Sequence, residues 1–314
     1  MGKKLIMKDY KKKQQDKQAE LCHICCGEET GGKYILSDVW NNIFHGIREK
    51  VEEADKFKEI KWWKSRKPTG NMWSSQVACI NHLFSFRDNR DAVLAILNAL
   101  PGHKGKFEDV ETYNGHYISF EVESDYARER MGEDPQHPTQ IDALILAKDT
   151  DGKRWIIPIE WKYTESYGPK SLYKEERGNR YNGFISTIGC FKEDKIKVED
   201  LKNSLFYINP FHQMMRQTLW AKLLTSDECT EKELKAEEYL HVFVAPNANE
   251  RLYKPERRDK TLNRLHDLER WEKEYLADPS LFICIDPKDL FEEVLDQLGE
   301  SELKEYLSKR YWCD

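Results

Sequence analysis

The chain has 314 residues, 39% of them apolar and 34% charged, with a formal net charge of −6. A real core can form, but no run approaches the ~20 apolar residues of a membrane span, and no apolar segment of signal-peptide type opens the sequence, so a cytoplasmic protein is expected. The acidic balance argues against a surface coated with nucleic acid yet leaves room for local basic stripes at 3–17, 56–67 and 170–180.

Residues 1–20 are rich in lysine and glutamine. They read as a helix or a frayed basic arm, expected to be a solvated terminus rather than a phosphate-binding one. Eight scattered cysteines in a long chain read as reduced thiols. Cys22-His23-Ile24-Cys25-Cys26 contains one Cys-x-x-Cys; Cys79 or His45 would be the partners of a zinc site, but the spacing does not demand one. Val39, Ile43, Ile47 and Val51 at four-residue spacing predict a helix over 37–62. Ser74 and Ser75 are natural N-caps for a helix with Val77, Ile80, Leu83 and Phe84 on its apolar face. A further helix is predicted over 90–100, stopped by Pro101-Gly102.

The hydrophobic period then changes. Tyr117, Ser119, Glu121 and Glu123 alternate with Ile118, Phe120 and Val122, the signature of a half-buried strand. Strands are predicted over 141–147 and 155–163, joined by the turn signal Lys148-Asp149-Thr150-Asp151-Gly152-Lys153. Residues 167–182 are read as a loop, 209–224 as a helix with Pro210 in its first turn, and 240–245 as a fourth strand closed by Pro246-Asn247. A charged helix over 251–276, with Leu262, Leu265, Leu268 and Trp271 at helical spacing, a short apolar run at 281–285 and an acidic helix complete the chain. From Ser74 the order is helix, strand, strand, strand, helix, strand, an α/β arrangement. The expected division is a basic helical extension over 1–73, a core over 74–250 and a mostly helical extension over 251–314 packed on that core.

The chemistry is concentrated in Ile141-Asp142-Ala143 and Ile159-Glu160-Trp161-Lys162-Tyr163. Residues two apart on a strand share a face, so Glu160 and Lys162 point one way and Ile159 and Trp161 the other. A three-residue loop, Thr150-Asp151-Gly152, pairs Asp149 with Lys153 and Asp142 with Glu160, which gathers all three charges on one face. A two-residue Asp151-Gly152 turn pairs Asp142 with Trp161 and sends Asp142 to the opposite face. Two carboxylates on adjacent strands make a hard oxygen site suited to Mg²⁺, with Mn²⁺ as a substitute. Lys162 would then orient the attacking water or stabilise the charged transition state.

Asp142…Glu160-x-Lys162 in this order of elements resembles the PD-(D/E)XK nuclease superfamily. More narrowly, Ser74-Ser75-Gln76 before an amphipathic helix, with Glu160-Trp161-Lys162-Tyr163-Thr164-Glu165, resembles a bacterial restriction-endonuclease-like group within it. The resemblance spans Ser74 to Pro246, and Ile141 stands where the superfamily often has proline. It implies an αβββαβ core with a mixed central sheet flanked by helices, a Mg²⁺ site from Asp142 and Glu160, and Lys162 as the catalytic lysine. It also implies a DNA endonuclease of restriction or defence type, DNA being favoured over RNA; endonucleases that cut both strands often act as a homodimer, though no coiled-coil seam marks this sequence. Glu121 or Glu123 would add an upstream acid to the metal, unless both lie on a solvent-facing edge. Gln76, Glu165 and Gln213 are further candidates for support. Gln213 and Gln217, with Arg216 beside them, otherwise read as a solvated helix face. Lys170, Lys174, Arg177 and Arg180 are candidate phosphate contacts, and His212 and His241 read as structural. Competing readings are a non-catalytic nucleic-acid-binding or interaction module on the same fold, and a zinc-stabilised scaffold.

Overall fold

The computed structural model describes residues 9–26, 34–62, 67–167, 170–193, 201–249, 252 and 267–312. Its helices, in chain order, are α1 (Asp9–Cys26), α2 (Arg48–Lys56), α3 (Ser75–Leu83), α4 (Arg90–Ala99), α5 (Asp125–Met131), α6 (Glu175–Thr187) and α7 (Phe211–Leu224), then α8 (Asp267–Arg270), α9 (Pro287–Leu298) and α10 (Ser301–Arg310). The strands are β1 (Phe107–Glu111), β2 (Ser119–Val122), β3 (Ile141–Asp149), β4 (Arg154–Trp161), β5 (Glu238–Tyr239), β6 (His241–Val244) and β7 (Phe282–Ile285). They form one seven-stranded mixed sheet in the order β1-β3-β4-β6-β7, with β2 also on β3 and β5 on β4. Pairings around β3 are antiparallel; those of β4 with β6 and of β6 with β7 are parallel. This is a restriction-endonuclease-like α/β sheet with helices on both faces, as expected.

Alternation along the strands divides the core in two. Ala143, Ile145, Ala147, Ile157, Ile159 and Trp161 face α3, α4, α9 and α10. Leu144, Leu146, Ile156 and Phe243 face α5, α6 and α7. Each buried aliphatic or aromatic side chain of this kind contributes about 1.5–3 kcal/mol relative to exposure. Asp142 and Glu160 have the parity of Leu144 and Ile156, so the same alternation that buries the apolar residues directs both acids toward the α7 side.

The β3–β4 turn is the three-residue one. Lys148 pairs with Arg154 and Ala143 with Ile159, a register that sets Asp142 opposite Glu160. The Asp149 amide donates to Lys153 O at 3.0 Å, and Gly152 takes φ +75°. The Asp149 carboxylate accepts from the amides of Asp151 and Lys153 and from Trp155 Nε1 at 2.8–3.0 Å, which ties the loop to the strand it launches.

Three expectations need correction, and one apolar run gains an assignment. Residues 37–62 are not one helix: a 3-10 turn covers Val39–Asn42 and an α-helix Arg48–Lys56. Tertiary amide bonds break the run, because Phe44 N donates to Asn81 Oδ1 and Asn81 Nδ2 donates to Asn42 O. The four-residue spacing still buries Ile43, Ile47 and Val51. Residues 167–182 are not wholly loop, since α6 begins at Glu175 and buries Tyr181 and Ile185. Within the apolar run at 281–285, Phe282–Ile285 form a sheet strand. The basic N-terminal segment is no solvated arm from Tyr10 to Leu21: Gln14 and Gln18 are fully buried, Gln14 Oε1 accepting from Tyr163 OH at 2.6 Å and Gln18 Nε2 donating to Arg310 O at 2.6 Å. The helix predicted over 251–276 falls mostly outside the described residues.

Gly152→Val places a β-branched residue at a left-handed position and should destabilise the fold by about 1–2 kcal/mol. Thermal unfolding reads this as a drop of a few degrees in Tm, and an unchanged Tm would contradict the turn assigned to this hairpin.

Candidate active site

The Ser74 side chain caps α3 by accepting from Val77 N, which starts the helix beside the ends of β2, β3 and β4. A cleft of about 1010 Å³ opens there. Its walls carry Gln76 of α3, Glu121 of β2, Asp142 of β3, Glu160 of β4 with Lys162 just beyond it, and Gln213, Arg216 and Gln217 of α7.

Glu160 is 2% exposed and Lys162 6%. Lys162 Nζ is ion-paired with Glu160 Oε1, and Gln217 Nε2 donates to Glu160 Oε2. Beneath them, Lys162 N donates to Val244 O at 2.8 Å, so the lysine backbone is held by β6 just past the end of β4. Asp142 is partly exposed to the cleft, and its Oδ2 accepts from Trp161 N at 2.7 Å. The register places Glu121 opposite Asp142. Glu121 takes φ +55°, a backbone conformation costly for a residue with a Cβ and often found where a side chain is aimed for use. Gln76 Nε2 donates to Glu121 Oε1 at 2.5 Å.

That turn of the backbone breaks the alternation expected to put both upstream acids on one face. Glu121 enters the cleft, whereas Glu123 lies outside the cleft lining and pairs with Lys61 at 2.9 Å. Glu165 also lines the cleft; its Oε2 accepts from Tyr163 N at 2.7 Å and its Oε1 from Ser75 Oγ, which joins the end of β4 to the start of α3. Gln213 Oε1 accepts from Tyr167 OH at 3.3 Å. Gln217 is not on a solvated face: it is 3% exposed and touches Glu160 directly. Lys170, Lys174, Arg177 and Arg180 are not in the cleft lining. Arg177 donates to Leu172 O at 2.7 Å, and Arg180 pairs with Glu176 at 3.3 Å.

Sequence reasoning passed over Tyr167 and Glu133. Tyr167 lines the cleft beside Lys162, and burial pushes its phenol up to about 12. The Glu133 carboxylate accepts from Thr139 N, Thr139 Oγ1, Tyr181 OH and Arg216 Nε at 2.6–3.0 Å. It thereby pins the segment leading into β3 against α7. No local pattern in the sequence signals either role, because Gln213 lies 46 residues from Tyr167, and Tyr181 and Arg216 lie 48 and 83 residues from Glu133.

Burial, followed by the neighbouring Glu160 charge, raises the Asp142 carboxyl well above the usual carboxylate range. Burial is also the main reason Glu121 is pushed up to about 8, with Glu160 adding to it. Burial alone would lower Lys162, but Glu160 reverses this and holds its ammonium well above the usual value. Four carboxyl groups, Glu121, Asp142, Glu160 and Glu165, thus line the cleft with the Lys162 ammonium and the Arg216 guanidinium, and burial above all makes Glu121 and Asp142 resist ionisation. By the chemistry of its donors the set fits a hard divalent cation. Even so, among the described residues no group of three or more His, Cys, Asp or Glu side chains is drawn together to hold a metal.

The zinc reading stands apart from this site. The side chains of Cys22, Cys25 and Cys26 lie outside the described ones, Cys79 is 1% exposed in the core, and His45 pairs with Glu302 at 2.7 Å. Burial lowers His212 to about 4, where it meets Phe206 O at 2.9 Å, and lowers His241 to about 3. Both therefore stay neutral at physiological pH.

The raised Glu121 carboxyl gives a test of the site's charge. In the metal-free fold it keeps its proton to about pH 8, whereas the unfolded chain loses it near about 4.3. Between those values the folded state binds more protons, so the stability this group contributes at low pH is lost as pH rises through about 8. In EDTA, Glu121→Gln should gain Tm relative to the wild type as pH rises from about 5 to about 8.5. A difference between the two proteins that does not change with pH would contradict the raised carboxyl.

Comparison with known proteins bears on the whole chain. No curated protein and no solved structure matched it. Residues 7–312 match the model of the REase-ARP family, described as restriction endonuclease associating with ARP, and the chain belongs to that family.

Proposed function

We propose that this chain is a metal-dependent nuclease of the PD-(D/E)XK type that hydrolyses phosphodiester bonds, with DNA as its substrate. The observation that carries the reading is the register of β3 on β4. It sets Asp142 opposite Glu160 and leaves Lys162 two residues further on, all three opening into one cleft. Membership of a restriction-endonuclease family supports the same reading. Asp142 and Glu160 are the residues that would hold Mg²⁺ or Mn²⁺, with Glu121 as the third acid. When bound, the ion supplies a Lewis acid for a phosphoryl oxygen and a lowered pKa for water.

The chain's own groups divide the remaining work. Lys162 is held as an ammonium by Glu160. It therefore serves as a donor of hydrogen bonds and positive charge to the phosphate rather than as the base that takes a proton from water. In the reaction water attacks phosphorus, the P–O bond to the leaving oxygen breaks, and that oxygen ends protonated. Charge builds on the non-bridging oxygens, which is where a fixed ammonium lowers the barrier. Gln76 holds Glu121, and Gln217 holds Glu160, so neither acid needs to reorient when substrate arrives. Lys170, Lys174, Arg177 and Arg180 would contact phosphates beyond the cleft, adding sequence-independent affinity.

Three substitutions separate the roles. Asp142→Asn and Glu160→Gln should lose Mn²⁺ binding and plasmid cleavage together while remaining folded. Lys162→Ala should lose about 10²–10³-fold in cleavage rate. Its Mn²⁺ affinity should be equal to or above wild type, because Glu160 is released from its partner. Calorimetric Mn²⁺ titration and plasmid cleavage with and without EDTA measure both quantities. A Lys162→Ala protein cleaving at the wild-type rate, or an Asp142→Asn protein keeping affinity and activity, would overturn the assignment.

A further inference from the structure

Behind the cleft a line of buried polar groups runs from Glu160 away from solvent. Gln217 Nε2 donates to Glu160 Oε2 and lies 3.4 Å from Gln140 O. Gln217 Oε1 is 3.1 Å from His241 Nε2, and His241 Nδ1 is 3.0 Å from Thr218 Oγ1. His241 is 0% exposed, Thr218 1% and Gln217 3%. A polar group buried this deeply is retained at a cost unless its hydrogen bonds are satisfied.

The direction of every bond follows from Glu160. A carboxylate paired with an ammonium can only accept, so Gln217 must present its amide nitrogen there. Its carbonyl oxygen is then left for His241, whose Nε2 must carry the proton. Nδ1 is consequently an acceptor, filled by the Thr218 hydroxyl. Burial keeps the ring neutral, so one tautomer serves the whole line. The ring itself is fixed by its strand, since His241 of β6 pairs with Phe282 of β7 and packs edge-on against the Phe282 ring at 5.4 Å.

We infer that His241 and Thr218 are positioning residues of the candidate active site: they fix the Gln217 amide, which fixes the Glu160 carboxylate. This rests on the reading of Glu160 as a metal-site carboxylate. Without His241 the Gln217 carbonyl oxygen loses its buried donor, and the amide is free to swing off the Glu160 carboxylate. Without Thr218 the ring has no donor for Nδ1, and the Nε2–H ring is then held by the Gln217 carbonyl oxygen alone. A histidine that looks like a core residue thus reaches the chemistry through one amide. Outer hydrogen-bond partners of this sort commonly govern metal affinity by 10–100-fold.

The full chain, labelled with ¹⁵N-histidine and with ¹⁵N in glutamine side chains, tests the line without metal. The wild type should show His241 as the single neutral Nε2–H tautomer. Thr218→Val, which keeps the packing volume, should leave the Nε2–H tautomer in place but shift the His241 Nδ1 resonance and the Gln217 side-chain amide. His241 in the Nδ1–H form, or an unchanged spectrum in Thr218→Val, would overturn the inference. Mn²⁺ titration then reads the consequence. His241→Leu and Gln217→Leu should each weaken binding by roughly 10-fold, the double variant should lose no more than either alone, and His241→Gln should recover most of the affinity. Wild-type affinity in a folded His241→Leu protein, or additive losses in the double variant, would also overturn it. A wild-type chain that binds no Mn²⁺ counts against the metal-dependent reading instead, and the spectra still decide the hydrogen-bond line.

Discussion

The candidate site depends on one constraint, the pairing of Asp142 opposite Glu160 across the β3–β4 hairpin. Side chains alternate along a strand, so a slip of one residue would carry Asp142 to the apolar layer formed with α3 and α9. The turn prevents this. A glycine in the left-handed region and an aspartate that accepts three hydrogen bonds make the three-residue loop the local minimum. Parity then does two things at once, burying Leu144 and Ile156 against α7 and presenting Asp142 and Glu160 at the cleft.

The charges so gathered are poorly explained by stability. A buried ion pair such as Glu160 with Lys162 gains little over apolar residues of the same volume, because the desolvation cost offsets its Coulomb attraction. Two further carboxyls in the same cleft are worse, and their raised proton affinities express that cost. Around them the protein places donors: Gln76 on Glu121, the Trp161 amide on Asp142, Gln217 and Lys162 on Glu160. Holding unfavourable charges in fixed positions is the arrangement expected of a preorganised site.

Much of this was legible in the sequence because it is local. The run from Lys148 to Lys153 announces a tight turn, though its length, and with it the face Asp142 takes, comes only from the pairing of β3 with β4, and Glu160 and Lys162 share a face by strand period alone. Features set by distant contacts were not legible. The break after Asn42 comes from an amide network with Asn81, 39 residues away. The acid-rich β1 buries only Phe107 and Val110, too little pattern to read as a strand. Glu121 leaves the alternating pattern through a positive φ that no neighbouring residue signals. Gln217 reaches Glu160 from 57 residues on, and Gln14 and Gln18 look solvated until Tyr163 and Arg310 are packed against them.

The central claim is that the carboxylates of β3 and β4 jointly bind a divalent cation. The most direct measurement is anomalous X-ray scattering at the manganese edge from crystals of the full chain soaked in Mn²⁺. The account predicts a peak shared by the Asp142 and Glu160 carboxylates. A peak elsewhere on the molecule, or none in the cleft at a saturating concentration, would contradict it.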